Sequence, residues 1–434
     1  MSYKLFLLLV SMFCNMGIAL LFDDRLKKIL PVLLGSALEA YDFCLYGLLA
    51  FYFSKIFFPT FDEYSLILSF ALFSISYFSR PIGSMLWGYI GDKYGRKKVL
   101  ISTISLMALS ATLMTFIPTY NHIGIIACFM VMIIRFLQGI AFGGEYPTTM
   151  VMLYELAPSN RKGFFCSLTS SITCCGHLIA IFFIISLMFV FGEKTFYDYA
   201  WRFLFGVSIF FILVLAYIRK NLVETLQENL INKTPLKTTI KNYKKMLTII
   251  AFLFAPNILF FSYVYHINTL IKSYFKLDGS DVFILQACMM IYLIICLPIL
   301  SYIGDRTGRQ KFIQQCLFCL FFLAIPIYIM LTSSSFALAM FGVAFLGFFV
   351  ASIVGISFSM IVEHSVENSR VSMVGISHGV AVSILGSTAP MVNQFIINAW
   401  GFLAPALYLM ISVLSSFLSV IVIKRNQSEI KYKS

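Results

Sequence analysis

Apolar stretches long enough to cross a membrane recur along the whole 434-residue chain, and nothing else in the sequence constrains its fold as tightly. A hydrocarbon core of about 30 Å takes about 20 helical residues at roughly 1.5 Å each. Twelve runs meet that length: 28–53, 66–90, 99–117, 123–154, 164–190 and 201–218, then 247–271, 282–303, 312–332, 336–362, 371–396 and 402–423. Backbone polar groups in lipid must be satisfied within a helix or a closed barrel, and the period-2 alternation of barrel strands is absent. The spans therefore read as helices. With 60% hydrophobic residues, 12% charged residues and a mean hydropathy of +0.90, the composition excludes a soluble protein.

One more apolar run, "LFLLLVSMFCNMGIALLF" at 5–22, precedes the twelve. Three readings stay open: a signal-peptide core behind Lys4, an interfacial or thirteenth helix, or an upstream start in a chain that otherwise begins at Met16.

A net charge of +13 would suggest nucleic acid in a soluble protein, but here the placement of the charge decides. Most of the 32 Lys and Arg fall in one alternate set of loops, among them Arg25, Lys27, Lys93, Arg96, Lys97, Arg161, Lys220, Lys237, Arg306, Arg309, Arg370 and Lys424. The opposite set holds only Lys55, Lys194, Arg202, Lys272 and Lys276. The positive-inside rule puts the first set, and both ends of the twelve-helix core, in the cytoplasm of a bacterial inner membrane. The expected partners are the bilayer, a small polar metabolite and a proton. Nucleic acid is not expected, and the working unit reads as a monomer.

The ten cysteines are scattered through apolar spans. Cys316 and Cys319 make one C-x-x-C inside a helix with no second pair, which reads as packing and not as a metal site. No Walker lysine motif, nucleophile elbow or metal cluster occurs, so neither an ATP-driven pump nor an enzyme is expected, and no cofactor beyond a proton gradient.

A charged phrase recurs half a chain apart: "GDKYGRKKVL" at 91–100 and "GDRTGRQKFI" at 304–313. Between the copies lies the longest polar interval, 219–245. The repeat predicts two parallel six-helix bundles related by an axis along the membrane normal. The expected divisions are an apolar extension 1–22, a first bundle 23–218, a linker 219–246, a second bundle 247–424 and a tail 425–434. The spacing of Leu222, Leu226 and Leu230 predicts a short amphipathic helix in the linker, turning near Pro235.

Ionisable residues inside spans are costly and therefore informative. Glu39, Asp42 and Tyr46 stand at i, i+3 and i+7 of span 1 and share a face. Counted from Lys28, Glu39 lies about 16 Å deep and Asp42 about 21 Å. Span 4 brings Arg135 to comparable depth, and its stripe continues through Gln138 and Phe142 to Glu145. A buried carboxylate needs an opposite charge to stay ionised, and without one it takes up a proton. An acid that pairs with Arg135 in one state and is protonated in another is a coupling device; the competing reading is a permanent ion pair locking spans 1 and 4. Glu145 could instead serve the cytoplasmic gate. Gly139 and Gly143 have the small-xxx-small spacing of close helix packing. Arg80, in "FSRPIG", reads as a contact to backbone or lipid headgroups. Span 7 offers Asn257, Tyr263, Tyr265 and His266 as a cavity set: tyrosine rings could enclose an ammonium group, and a histidine could titrate. His177 and His378 read as bridges between helices.

The blocks "GYIGDKYGRKKVL" (88–100), "SYIGDRTGRQKFI" (301–313) and "RFLQGIAFGG" (135–144) resemble signatures of the major facilitator superfamily. "LLGSALEAYDFCLYGLLA" (33–50), "RFLQGIAFGGEYPTTMVMLYELAPSNRKGF" (135–164) and "RKNLVET" (219–225) resemble its metabolite:proton symporter family more narrowly, with Ala40 where that family has an aromatic. The resemblance implies the major facilitator fold, with a cavity lined by helices 1, 4, 7 and 10. It also implies a cytoplasmic gate. Asp92 would cap the N-terminus of helix 11 near Arg370, Asp305 that of helix 5 near Arg161, and Arg96 would meet Glu155, while Gly95 and Gly308 turn the chain and Arg309 repeats Arg96. The function so implied is proton-coupled uptake of a zwitterion such as proline or betaine. An organic-anion symporter and a solute sensor without net transport are the alternatives.

Overall fold

The computed structural model describes residues 24–59, 72, 74–220, 222–276 and 279–433. It holds α1 (Asp24–Leu48), α2 (Arg80–Tyr94), α3 (Arg96–Phe116), α4 (Ile125–Leu156), α5 (Lys162–Thr195) and α6 (Trp201–Arg219). The second six are α7 (Tyr243–Lys272), α8 (Gly279–Thr307), α9 (Arg309–Leu331), α10 (Phe336–His364), α11 (Glu367–Trp400) and α12 (Ala404–Lys433). Among the described residues no strand occurs, and all of these helices except α2 are long and apolar enough to cross a membrane. Much of the N-terminal part of the span expected at 66–90 lies outside the described residues, as does the run at 5–22.

The two sets of six meet along two seams, α2 against α11 and α5 against α8. Adding six to each helix number turns the first seam into the second, as two copies related by a twofold axis require. In the first seam the Ser383 hydroxyl donates to the Tyr77 carbonyl at 2.6 Å; in the second the Ser171 hydroxyl donates to the Ile294 carbonyl at 2.6 Å. Large apolar side chains such as Ile133, Phe182, Phe318, Phe341 and Ile411 face outward, a collar that suits hydrocarbon and not water.

Small residues set how deep α2 lies. The Ser84 hydroxyl donates to the Gly143 carbonyl at 2.7 Å and Trp87 Nε1 to the Ile140 carbonyl at 3.1 Å. A Cβ on Gly143 would collide with the Arg80 carbonyl and come 2.9 Å from the Ser84 nitrogen. Both obstacles are backbone, so Gly143→Leu is expected to cost at least about 1–3 kcal/mol and to lower the melting temperature of the purified protein. Gly206, whose added Cβ would meet nothing within 4 Å, is the control: Gly206→Ala should leave melting unchanged or raise it.

Two expectations are corrected. The first span does not run unbroken to 53: α1 ends at Leu48, Leu49 leaves helical geometry and Ala50–Phe57 resumes. The resumed piece is anchored by Phe53 and Phe57 packing edge-on against Trp201 at the start of α6. Nor is the first part of the linker an amphipathic helix. Residues 222–227 are non-helical and Glu228–Leu230 form a single 3-10 turn. The short helix is Pro235–Lys241, with Pro235 at its start and not in a turn. Side-chain contacts hold 222–225 in place. Leu222 is buried with Val32, Leu100 and Met152, and Glu224 accepts from the backbone N–H of Arg96 and Lys97 at 2.9 and 3.2 Å.

Candidate functional site

A cavity of about 60 Å³ lies where the two halves meet. Its wall comes from α1 (Ala40, Phe43), the helical turn before α2 and the start of α2 (Tyr77, Arg80), α4 (Phe142, Tyr146), α5 (Thr173, His177), α7 (Asn257, Phe261, Tyr265), α10 (Phe358) and α11 (His378). Helices 1, 4, 7 and 10 thus take part, joined by 2, 5 and 11. Two π-helical turns flank it, Ser262–His266 in α7 and Val382–Gly386 in α11, the local unwinding often found at functional sites. Residue Ala40 keeps the wall of α1 open where the resembled family carries an aromatic.

Of the four residues named in helix 7, Asn257 and Tyr265 line the cavity, while Tyr263 and His266 do not. Asn257, Phe261 and Tyr265 stand at i, i+4 and i+8 on one stripe, and the other two fall on different sides of the helix. The Tyr263 hydroxyl packs instead at Gly347 of α10. His177 Nε2 lies 3.3 Å from the Tyr265 hydroxyl and Nδ1 3.0 Å from the Thr173 carbonyl, joining α5 to α7 across the halves. The His378 ring sits 5.2 Å from that of Tyr146 and 5.9 Å from that of Phe358.

Arg80 overturns its expected place. It is not at a headgroup: only 5% of it is exposed, and its Cζ lies 4.4, 4.2 and 3.8 Å from the ring centres of Phe43, Tyr77 and Phe142. The close approach of α2 to α4 at Gly143 carries the side chain inward.

The acids and the arginine of α1 and α4 lie behind the cavity wall, inside the first bundle. Gln138 Nε2 donates to Asp42 Oδ2 at 2.7 Å, and Gln138 Oε1 accepts from Arg135 Nη1 at 2.8 Å. The connection between Asp42 and Arg135 therefore runs through Gln138. Ser208 donates to Asp42 Oδ1 at 3.0 Å, and Arg135 donates to Ser76 at 2.7 Å. The Tyr46 ring lies 4.6 Å from the Arg135 guanidinium carbon. Glu145 is ion-paired with Arg219 and accepts from the Thr103 hydroxyl at 2.6 Å, with both charged side chains about 1% exposed. Arg219, the first residue of the expected linker, is in fact buried. Glu39 is 2% exposed, and among the described residues neither of its oxygens has a hydrogen-bond partner. The charges that act on it are those of Glu145, Arg80, Arg219 and Asp42.

At the end of the molecule where the basic loops gather, the repeated phrases join the two halves. Asp92 accepts from the backbone N–H of Val371 and Ser372 at 3.1 and 2.8 Å, and Asp305 from those of Gly163 and Phe164 at 2.9 and 2.8 Å. Each carboxylate thus caps a helix of the opposite half. Gly95 and Gly308 have φ of 109° and 93°, where a side chain would be strained. Glu155 gathers Arg96 at 3.1 Å, Arg370 at 3.9 Å and the Thr225 hydroxyl at 2.6 Å. Arg309 meets Asp305 at 3.1 Å and Glu363 at 2.8 Å. Arg161 is exposed at the start of α5. Removing the Asp92 acceptors (Asp92→Ala) should weaken closure of this end by about 1–2 kcal/mol, a roughly 5- to 30-fold shift in population. Spin labels at Lys98 and Glu367 would report it as a shift toward longer distances.

Sequence reasoning missed Arg219, Glu224 and Thr225 as contacts, though "RKNLVET" carried the signal. It also missed Ser76, Thr103 and Ser208, which no motif distinguishes. Among the described residues no three His, Cys, Asp or Glu side chains come together as metal ligands; Cys316 is buried and Cys319 faces outward.

A model of the Major Facilitator Superfamily matches residues 32–390. The proline/betaine transporter of Escherichia coli is 26% identical over 422 residues, 93% of this chain and 84% of that one. The glycine betaine/proline/ectoine/pipecolic acid transporter OusA of Dickeya dadantii is 26% identical over 427 residues, 94% and 85% of the two chains. Among solved structures, the proton:xylose symporter XylE bound to 6-bromo-6-deoxy-D-glucose superposes with a TM-score of 0.73 at 13% identity, covering 92% of this chain and 95% of that one. The Escherichia coli fucose:proton symporter superposes at 0.66 with 15% identity, covering 92% and 99%. The paired seams, the doubled capping aspartates and these matches lead to one conclusion: the chain belongs to the major facilitator superfamily, whose members are multi-helix membrane transporters.

Proposed function

We propose that this chain is a proton-coupled symporter that imports a small zwitterionic metabolite of the proline or betaine kind across a bacterial inner membrane, working as a monomer. The basic end faces the cytoplasm, as the loop charges favour. The observation that carries the reading is the cavity between the halves, with an aromatic wall suited to an ammonium group and buried carboxylates directly behind it. The relatives' names, proline/betaine transporters, support the same substrate class. The cavity is completed within one chain, which supports the monomer.

In this mechanism the conformation is latched at the cytoplasmic end by Asp92, Asp305 and Glu155, and Glu39 and Asp42 carry the coupling. Asp42 has donors for an anion in Gln138 and Ser208, whereas among the described residues no donor bonds Glu39; Glu39 is therefore the carrier of the proton. Binding of proton and solute opens the latch to the cytoplasm, alternating access of one site to the two sides.

An organic anion is the second reading, favoured by Arg80, which puts a permanent positive charge on the wall. Uptake of labelled proline, glycine betaine and 2-oxoglutarate into proteoliposomes, with and without an imposed proton gradient, tests both. Gradient-stimulated uptake of a zwitterion is the expected result, and uptake of 2-oxoglutarate alone would favour the second reading. Binding without uptake would make the chain a sensor and defeat the transport reading.

A further inference from the structure

Among the described residues four buried arginines stand in the first bundle, and three of them donate to neighbouring oxygens. Arg96 donates to the Gly91 carbonyl and to Glu155, Arg135 to Gln138 and Ser76, and Arg219 to the Leu100 carbonyl and Glu145. Arg80 differs. Among the described residues its guanidinium makes no ion pair and donates no hydrogen bond, whereas each of the other three donates at least two; its buried Nε is open, as are those of Arg96 and Arg135. What surrounds it is ring faces, with Phe142 closest at 3.8 Å. Rings attract a cation over their faces, but they accept none of the N–H groups that point outward in the guanidinium plane. A buried cation in this state lacks an anion, and the open space beside it is the cavity.

Among the described residues the anionic side chain that acts on Arg80 is that of Glu39, itself buried there without a hydrogen-bond partner and adjacent in sequence to Ala40 of the cavity wall. Two complementary groups, each lacking a partner among the described residues, thus stand within electrostatic reach of each other, and one of them faces the cavity. We infer that Arg80 is the anchor for the carboxylate of the transported solute, and that ionised Glu39 competes with that carboxylate for it.

The inference rests on the reading of the chain as a carrier of carboxylate-bearing solutes, and it supplies the link between proton and cargo. With Glu39 protonated, Arg80 has no internal counterion and takes the solute; with Glu39 ionised, the cation is already neutralised and the solute is released. The other groups acting on Glu39 are Glu145 from α4, Arg219 from α6 and Asp42 from α1. The first two are paired with each other, and Asp42 is bonded to Gln138 and Ser208. None of these is free to replace Arg80. Loss of the proton thus weakens solute binding, so affinity falls as pH rises.

The test is calorimetric binding of glycine betaine and of choline, which has the same ammonium head without the carboxylate, to the purified chain in lipid nanodiscs. Arg80→Gln should weaken betaine binding about 10- to 100-fold, the loss of a charge-assisted bidentate contact, with choline binding unchanged. Arg80→Lys should recover part of the loss, and a melting curve on each variant separates this from misfolding. Glu39→Gln should bind betaine with an affinity that no longer falls as pH rises. An equal loss for betaine and choline, an unchanged betaine affinity in Arg80→Gln, or a wild-type pH slope in Glu39→Gln would overturn the inference. Should the wild type bind 2-oxoglutarate in place of betaine, the zwitterion reading fails and the same substitutions judge Arg80 on that probe. A wild type that binds neither overturns both.

Discussion

Proteoliposomes bearing Glu39→Gln should exchange internal for external solute at close to the wild-type rate and yet fail to concentrate it under an inward proton gradient. Glutamine reproduces the shape and neutrality of the protonated acid, and no partner has to be given up, because neither Glu39 oxygen is hydrogen-bonded among the described residues. The substitution is therefore expected to leave folding almost untouched while removing the proton from the cycle. Accumulation should fall by on the order of 100-fold, approaching simple equilibration across the membrane; a membrane potential or pH gradient worth about 3 kcal/mol corresponds to that ratio. Exchange keeps its rate because it needs only loaded forms. Accumulation that survives in Glu39→Gln would remove this residue from the coupling step.

The second large effect concerns stability. Arg219→Ala should destabilise the protein by about 3–5 kcal/mol, because it leaves the Glu145 carboxylate buried with the Thr103 hydroxyl as its remaining side-chain donor among the described residues. Removing both charges with neutral residues of similar volume (Glu145→Gln with Arg219→Met) should restore most of the loss, since the penalty comes from the stranded charge more than from the missing attraction. Thermal melting in detergent or nanodiscs reads both. If the double substitution is as unstable as Arg219→Ala, the pair contributes by attraction and this account of it is wrong.

These two sites show where sequence was legible. Helices were written in the apolar runs, and the relation between the halves in the repeat of Gly, Asp, Gly and Arg. The spacing that sets Asp92 against Gly95 and Asp305 against Gly308 survives because helix termini of the opposite half depend on it. The buried pair of Glu145 and Arg219 was harder. Arg219 ends a span beside Lys220, and on charge pattern alone the two are equivalent; burial of one and exposure of the other follows from where Leu222 packs. Arg80 was misread for a related reason. Its place inside the run 66–90 does not say which way the side chain points, and the sinking of α2 against Gly143 turns it inward. The four polar residues of helix 7 were grouped by type, whereas the period of the helix separates Asn257 and Tyr265 from Tyr263 and His266. Partners such as Ser208 and Thr103 carry no pattern at all, since a buried hydroxyl in a membrane helix most often bonds its own backbone.

The central claim is that solute and proton enter together. Proteoliposomes holding a pH-sensitive dye, given glycine betaine or proline from outside, measure this directly. Adding solute is expected to acidify the lumen in the wild type and to leave lumenal pH unchanged in Glu39→Gln. Solute entering the wild-type vesicles with no change in lumenal pH would contradict it.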